Sequence, residues 1–95
     1  MEIQKTINDG IITIKIIGRL DTSNSTQLDE EVKELKEDDK LILDFSELEY
    51  LSSVGLRILL SLKKKLKDNI KIINVNEFVR EVFDMTGFSD IFEIE

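Results

Sequence analysis

Apolar and polar residues alternate over the start of the chain, as in β-strands that bury one face. Two alternating segments, IQKTI and IITIKIIG, lie on either side of the turn Asn8-Asp9-Gly10. Turn residues between two alternating segments are typical of a β-hairpin. The chain is therefore predicted to begin with two antiparallel strands.

Further along, apolar residues recur every three or four positions, which is the spacing of amphipathic helices. The first such segment lies between Thr22 and Glu37, the second runs from Ser53 to Lys67, and the third is NEFVREVFDMTG. In the third helix, Phe78 is predicted to face inward and Gly87 to be the C-terminal cap.

Two short apolar runs predict strands between these helices. KLILDF is nearly continuous, which is typical of a strand buried on both faces, and IKIINV predicts another strand. The closing segment FSDIFEIE leaves room for one more short strand. The predicted order is strand, strand, helix, strand, helix, strand, helix, which is an α/β fold in a single domain of residues 1–95.

The composition supports one small domain and limits the kinds of partner that it can bind. Of the 95 residues, 41% are apolar, which is enough for one core. The formal net charge of −7 repels nucleic acid phosphates and anionic membrane surfaces, so neither is an expected partner. The only basic run, at the end of the second helix, is expected to lie in solvent; it consists of Lys63, Lys64, Lys65 and Lys67. No signal peptide or membrane-spanning apolar run is present, so the expected compartment is the cytoplasm.

The chain lacks the residues that most catalytic mechanisms need. Histidine and cysteine are absent, which excludes a Ser-His-Asp triad, a thiol nucleophile and a disulfide, and makes a zinc site implausible. The acidic pairs Asp38-Asp39 and Glu47-Glu49 fall in or beside turns, and there is no glycine-rich phosphate loop. We therefore expect no catalytic residue, no metal and no cofactor.

Two adjacent hydroxyls, Ser52 and Ser53, stand between a predicted strand and the second helix. In open parallel sheets, loops at the carboxyl ends of strands carry functional groups. One interpretation makes Ser53 a plain helix N-cap, worth about 1 kcal/mol. The other makes it a hydroxyl that a second protein modifies, at a helix end that favours an added anion. Because few catalytic groups remain in the chain, the second interpretation explains more.

Three segments of the chain, in order, resemble the STAS domains of bacterial anti-sigma factor antagonists. They are GRLDTSNSTQL, LILDFSELEYLSSVGLRILL and VREVFDMTGFSDIFEI, and they cover almost the entire chain. The resemblance implies the STAS fold, a mixed four- to five-stranded sheet with helices packed mainly on one side. It also implies a binding protein rather than an enzyme, whose unphosphorylated form binds an anti-sigma factor and releases a sigma factor.

In that family, the serine two positions before the signature glycine is phosphorylated by a partner that is both anti-sigma factor and ATPase-type serine kinase. Here that serine is Ser53. The best-known pattern is Asp-Ser-Ser/Thr-Gly, from which this chain departs at Ser52 and Val54. SSVGLR resembles a family branch with the pattern Ser-Ser-x-Gly-Leu-Arg, and Ser52 is the alternative acceptor. A separate serine phosphatase is expected to reset the protein.

The resemblance also places the loop after the second strand beside the Ser53 loop, so that both form one surface for the kinase. This predicted partner-binding surface consists of Asp21, Thr22, Ser23, Asn24, Ser52, Ser53, Val54, Gly55 and Arg57. Two of its residues also have simpler interpretations: Asp21 as the cap of the first helix, and Gly55 as a site of close packing on the sheet.

Two other functions stay open at this point. One is a STAS scaffold or sensor in a larger assembly, such as a transporter or stress complex, without a phosphorylation cycle. The other is a small enzyme or nucleotide-binding domain. Phosphorylation by a kinase partner would favour the antagonist over both.

Overall fold

The computed structural model describes all 95 residues, which form six strands and three helices. In chain order they are β1 (Glu2–Asn8), β2 (Ile11–Leu20), α1 (Ser25–Val32), β3 (Lys40–Asp44), β4 (Leu48–Leu51), α2 (Ser53–Leu66), β5 (Ile70–Ile73), α3 (Glu77–Thr86) and β6 (Glu93–Ile94). Short 3-10 turns at Lys67–Asn69 and Phe88–Asp90 follow α2 and α3.

The strands form one mixed sheet. β1 and β2 pair in antiparallel fashion, which confirms the predicted hairpin, and every other pair is parallel. The order is β1-β2-β3-β5-β6, and β4 pairs with β2 outside this path. The predicted last short strand is therefore present as β6.

The core lies on one face of this sheet. In β2, β3 and β5 it includes the alternate positions Ile14, Ile16, Leu41, Leu43, Ile70 and Ile72, none of them more than 1% exposed. The residues between them, such as Lys15 and Ile42, are half-buried. Because side chains of a strand point alternately to the two faces, the helices must cover mainly one face, as predicted.

Two of the predicted strand features differ from the structure. β3 was predicted to be buried on both faces, but Ile42 and Asp44 are only half-buried since no helix covers their side. β4 was not predicted at all, because its short sequence LEYL does not alternate cleanly. β4 pairs with the end of β2, beyond a register shift between Gly18 and Arg19.

The helices are present, with different limits. α1 ends at Val32 rather than near Glu37. Gly87 caps α3 as predicted, and it does so in the left-handed conformation, with φ of 81°. Phe78 is 43% exposed, so its predicted inward position is wrong. Asn76 caps the helix by accepting from the Val79 N–H at 2.9 Å, and on the helix that begins there Val79 rather than Phe78 is buried.

Candidate functional site

The candidate site is formed by two loops that leave the sheet side by side. β2 and β4 are parallel neighbours, and their last residues, Leu20 and Leu51, are paired. The Ser52 N–H donates to the Leu20 carbonyl oxygen at 2.9 Å. The segments 21–24 and 52–55 therefore begin next to each other at the carboxyl ends of their strands, which is where open parallel sheets carry their functional groups.

Ser52 is the N-cap of α2. Its backbone is extended, its hydroxyl oxygen accepts from the Gly55 N–H at 3.3 Å, and its carbonyl oxygen accepts from the Leu56 N–H at 3.0 Å. The interpretation of Ser53 as the cap is therefore wrong by one residue. Serine is a preferred N-cap residue, so either serine could fill this position. The residue at which the chain leaves β4 and enters α2 decides which of the two is the cap.

Ser53 is the first residue of α2, and its side chain lies in solvent. Its hydroxyl makes no hydrogen bond within the chain, so nothing has to break before another protein can reach it. The first backbone N–H groups of a helix have no partner inside the helix, and they give this end a partial positive charge. A phosphate on Ser53 would lie in a favourable place.

Two neighbours of Ser53 on α2 have different surroundings. Val54 is half-buried and packs against the core. Arg57 is exposed and forms no ion pair; the basic residues that do are Lys15, Arg19, Lys33 and Lys71. Of the two, only Arg57 offers a free charged group to a partner.

Gly55 is buried where α2 crosses the ends of β2 and β4. A Cβ atom at this position would lie 2.7 Å from Cδ1 of Leu51 and 3.0 Å from Cγ and Cδ2 of Leu20. Real Cβ atoms essentially never approach as closely as the first of these distances. Close packing therefore explains the glycine without a partner protein, because the position where a side chain would begin points at the buried residues Leu20 and Leu51.

The loop of residues 21–24 is held by its own hydrogen bonds. The Asp21 carboxylate accepts from the Ser23 N–H at 3.0 Å and from the Ser23 hydroxyl at 2.6 Å. The Asp21 N–H donates to the Asn24 side chain at 2.9 Å, and the Asn24 amide donates to the Arg19 carbonyl oxygen at 2.7 Å. Thr22 is exposed at the tip of this loop. The loop thus has a fixed shape in the free protein.

Asp21 is not the cap of α1. The helix N-cap is Asn24, whose side chain makes no capping hydrogen bond, and the Asp21 carboxylate is already bound to Ser23. The hydroxyl of Ser23 is also the main reason that the pKa of the Asp21 carboxyl lies below its ordinary value, with the nearby Arg19 adding to it. Asp21 therefore presents a negative charge at neutral pH.

Residues absent from the predicted surface adjoin Asp21. The Arg19 Nε lies 3.6 Å from an Asp21 carboxylate oxygen, and the Arg19 guanidinium lies 4.2 Å from the centre of the Tyr50 ring. Tyr50 in turn stacks on Phe78, with ring centres 6.3 Å apart. The sequence carried no signal for this cluster, because Tyr50 belongs to the unpredicted strand β4.

Outside these two loops, function could also rest on metal ligands, a groove or a membrane-spanning helix. No three His, Cys, Asp or Glu side chains come together as metal ligands. A groove of about 370 Å³ is lined by Lys40 and Lys71 at the amino-terminal ends of β3 and β5, opposite the Ser53 loop. None of the helices is long and apolar enough to cross a membrane.

Comparison with known proteins agrees with the family resemblance of the sequence. The family model described as the STAS domain matches residues 2–95. BtrV of Bordetella bronchiseptica, provisionally named an anti-sigma factor antagonist, is 32% identical over 91 residues, which are 90% of this chain and 78% of BtrV.

The fold is also that of solved structures. An anti-sigma factor antagonist from Mycobacterium paratuberculosis has a TM-score of 0.87 at 24% identity, over 98% of this chain and 83% of that one. SpoIIAA in its unphosphorylated form has a TM-score of 0.81 at 19% identity, over 99% of this chain and 88% of that one. Phosphorylated SpoIIAA from Bacillus has a TM-score of 0.73 at 17% identity, over 99% and 91% of the two chains.

Proposed function

The chain belongs to the STAS domain family, and from this premise we propose that it is an anti-sigma factor antagonist whose binding is switched off by phosphorylation of Ser53. In this proposal the unphosphorylated protein binds an anti-sigma factor that is also a serine kinase, and the bound kinase releases its sigma factor. The observation that carries the proposal is the free, exposed Ser53 hydroxyl beside the ordered loop of residues 21–24.

Ser53 is preferred over Ser52 as the acceptor because the two hydroxyls differ in availability. The Ser52 hydroxyl accepts from Gly55 and is half-buried, whereas the Ser53 hydroxyl is exposed. Phosphate on Ser52 would replace the cap of α2 with a bulky dianion. Phosphate on Ser53 leaves the cap in place and lies near the positive helix end.

The docking face of the proposal is formed by the loop of residues 21–24 together with Ser53 and Arg57. A phosphate adds about −1.5 to −2 charge at neutral pH, next to a loop that already carries Asp21. Burying that charge against a partner without a matching cation costs several kcal/mol, and each ~1.4 kcal/mol lowers the affinity tenfold. Phosphorylation is therefore sufficient to dissociate the complex without refolding the antagonist.

The chemistry of the cycle comes from other proteins. The kinase supplies ATP, magnesium and the catalytic base for phosphoryl transfer, and a separate serine phosphatase removes the phosphate. The antagonist itself contributes a shaped surface and an accessible hydroxyl, as expected of a binding module. Because sigma factors act inside the cell, we expect the protein in the cytoplasm. The existence of SpoIIAA in both a phosphorylated and an unphosphorylated form supports a switch of this kind.

Intact-mass measurement after incubation with an ATPase-type anti-sigma factor kinase and ATP tests the proposal. We expect one added phosphate in the wild-type protein, mapped to Ser53 by peptide fragmentation. Ser53→Ala should take up no phosphate, and Ser52→Ala should still be phosphorylated. Phosphate mapped to Ser52 would move the acceptor by one residue. No phosphate with any kinase that binds the protein would favour the scaffold or sensor function.

A further inference from the structure

A single exposed stripe runs along α2 from its first residue. Its members are Ser53, Arg57, Ser61 and Lys64, all exposed. Residues four positions apart in a helix lie on the same side, with Cβ atoms about 5–6 Å apart. Ser53 and Arg57 are such neighbours, and they are the first two members of the stripe.

Arg57 is free to take a new partner. It forms no ion pair in the structure and no hydrogen bond through its guanidinium. The nearest charged group of the neighbouring loop, Asp21, is already bound to Ser23 and faces Arg19. The guanidinium is therefore not committed to another carboxylate when a phosphate arrives on Ser53.

The order of the two residues also favours a pair. An anionic side chain four residues before a cationic one is the better arrangement on a helix, because each charge then faces the helix end of opposite sign. Arginine presents a planar fork of donors that binds two phosphate oxygens at once. Lys64 is the next exposed cation of the stripe, but it lies about 16 Å from Ser53 along the helix axis, beyond the distance at which exposed charges interact at physiological salt.

Resting on the proposed phosphorylation of Ser53, we infer that Arg57 binds the Ser53 phosphate within the same helix. Phosphorylation then changes the docking face in two ways: it adds the phosphate, and it takes the free guanidinium of Arg57 away from the partner. The resting protein keeps Arg57 available, and the modified protein does not.

The inference can be tested without any kinase, on the full chain carrying phosphoserine introduced at position 53 during translation. Phosphorus NMR over a pH titration gives the second pKa of the phosphate, which is ordinarily about 6. Pairing with Arg57 stabilises the dianion, so we expect this pKa to be lower in the wild-type chain than in Arg57→Gln by roughly 0.1 to 0.4. Arg57→Lys should recover part of the difference, because it keeps the charge but not the fork.

Lys64→Gln is the matched control, since it removes one positive charge from the same exposed stripe of the same helix. Its phosphate should titrate like that of the wild-type chain. Equal pKa values in the wild-type and Arg57→Gln chains would overturn the inference, and so would an equal rise in Lys64→Gln, which would indicate a general charge effect. Because the phosphate is installed without the kinase, failure here leaves the proposed switch standing, and failure of the kinase to modify Ser53 leaves this titration valid.

Discussion

At the residue scale, Ser52 and Ser53 are neighbours in sequence with different surroundings. Ser52 holds the start of α2 through the Gly55 N–H, while Ser53 points into solvent without a partner. Their order follows from the pairing of Leu20 with Leu51, which ends β4 one residue before the cap. The serine that caps the helix and the serine with a free, exposed hydroxyl are therefore adjacent without competing for one role.

This difference predicts that two alanine substitutions will affect stability to different extents. Ser52→Ala should lower the free energy of unfolding by about 1 kcal/mol, because it removes a helix cap. Ser53→Ala should change it by less than about 0.5 kcal/mol, as for an exposed residue without partners. Urea unfolding of both variants measures the two values, and equal losses would show that Ser52 is not the only cap.

Gly55 gives a second prediction at this scale. Alanine is favoured over glycine inside a helix by about 1 kcal/mol, but the added methyl group would press on Leu20 and Leu51, which are both buried. Overpacking of a core costs about 1–3 kcal/mol. We expect Gly55→Ala to lower the melting temperature and to leave kinase binding nearly unchanged. Unchanged melting with weaker binding would instead make Gly55 a partner contact.

The sequence could single out Ser53 as the candidate acceptor, but it could not give the immediate surroundings of that residue. Ser53 followed from its position two residues before Gly55 in a pattern that resembles a known signature. The identity of the cap did not follow, because Ser52 and Ser53 are equally good caps by residue type. Asp21 was a plausible cap for the same reason, and only the fold shows that Ser23 already binds its carboxylate.

At the element scale, the site depends on the strand that the sequence did not reveal. β4 carries the chain from the end of β3 back alongside β2, and this pairing is what sets the Ser53 loop beside the 21–24 loop. Strong periodicity predicted the hairpin and the three helices well. β4 is only four residues long and half polar, so its pairing with β2 is a tertiary effect that local pattern does not encode.

The two ends of α2 are predicted to differ in their importance for binding. Asp21→Ala and Arg57→Ala should each weaken kinase binding by more than they lower stability, because both change charge on the docking face. Charge removal at Lys64 or Lys65 should have little effect, since this end of α2 lies away from the loops. Calorimetric titration with the cognate kinase measures the affinities. Unchanged affinity in both face variants, or a large loss in the lysine variants, would put the interface elsewhere.

At the scale of the whole molecule, the open face of the sheet sets part of the response to acid. Burial raises the pKa of the Asp44 carboxyl, but hydrogen bonds from Ser46 and Asn74 and the charge of Lys15 outweigh burial, so its pKa lies below the ordinary value. The pKa of Asp21 is lowered as well. Groups of this kind stabilise the fold above their unfolded pKa, and that stabilisation is lost as the pH falls through the folded value.

The expected result is a decline in the free energy of unfolding below about pH 4, where carboxyl groups of the unfolded chain begin to take up protons. Asp44→Asn should make this decline shallower, because one of the responsible carboxyl groups is gone. Asp68→Asn removes the same charge from the exposed turn after α2 and serves as the control. Denaturant unfolding between pH 3 and pH 7 provides the comparison. Identical slopes in Asp44→Asn and the wild-type protein would contradict the assignment.

The most direct test of the switch is a calorimetric titration of one kinase-type anti-sigma factor with two forms of the full chain, unmodified and carrying phosphoserine at position 53. A non-hydrolysable ATP analogue prevents phosphate transfer during the measurement. We predict that the unmodified form binds and that the modified form binds at least about 100-fold more weakly, as expected for a buried dianion that costs several kcal/mol. Equal affinity of the two forms would contradict the account, because phosphate on Ser53 would then not control the interaction.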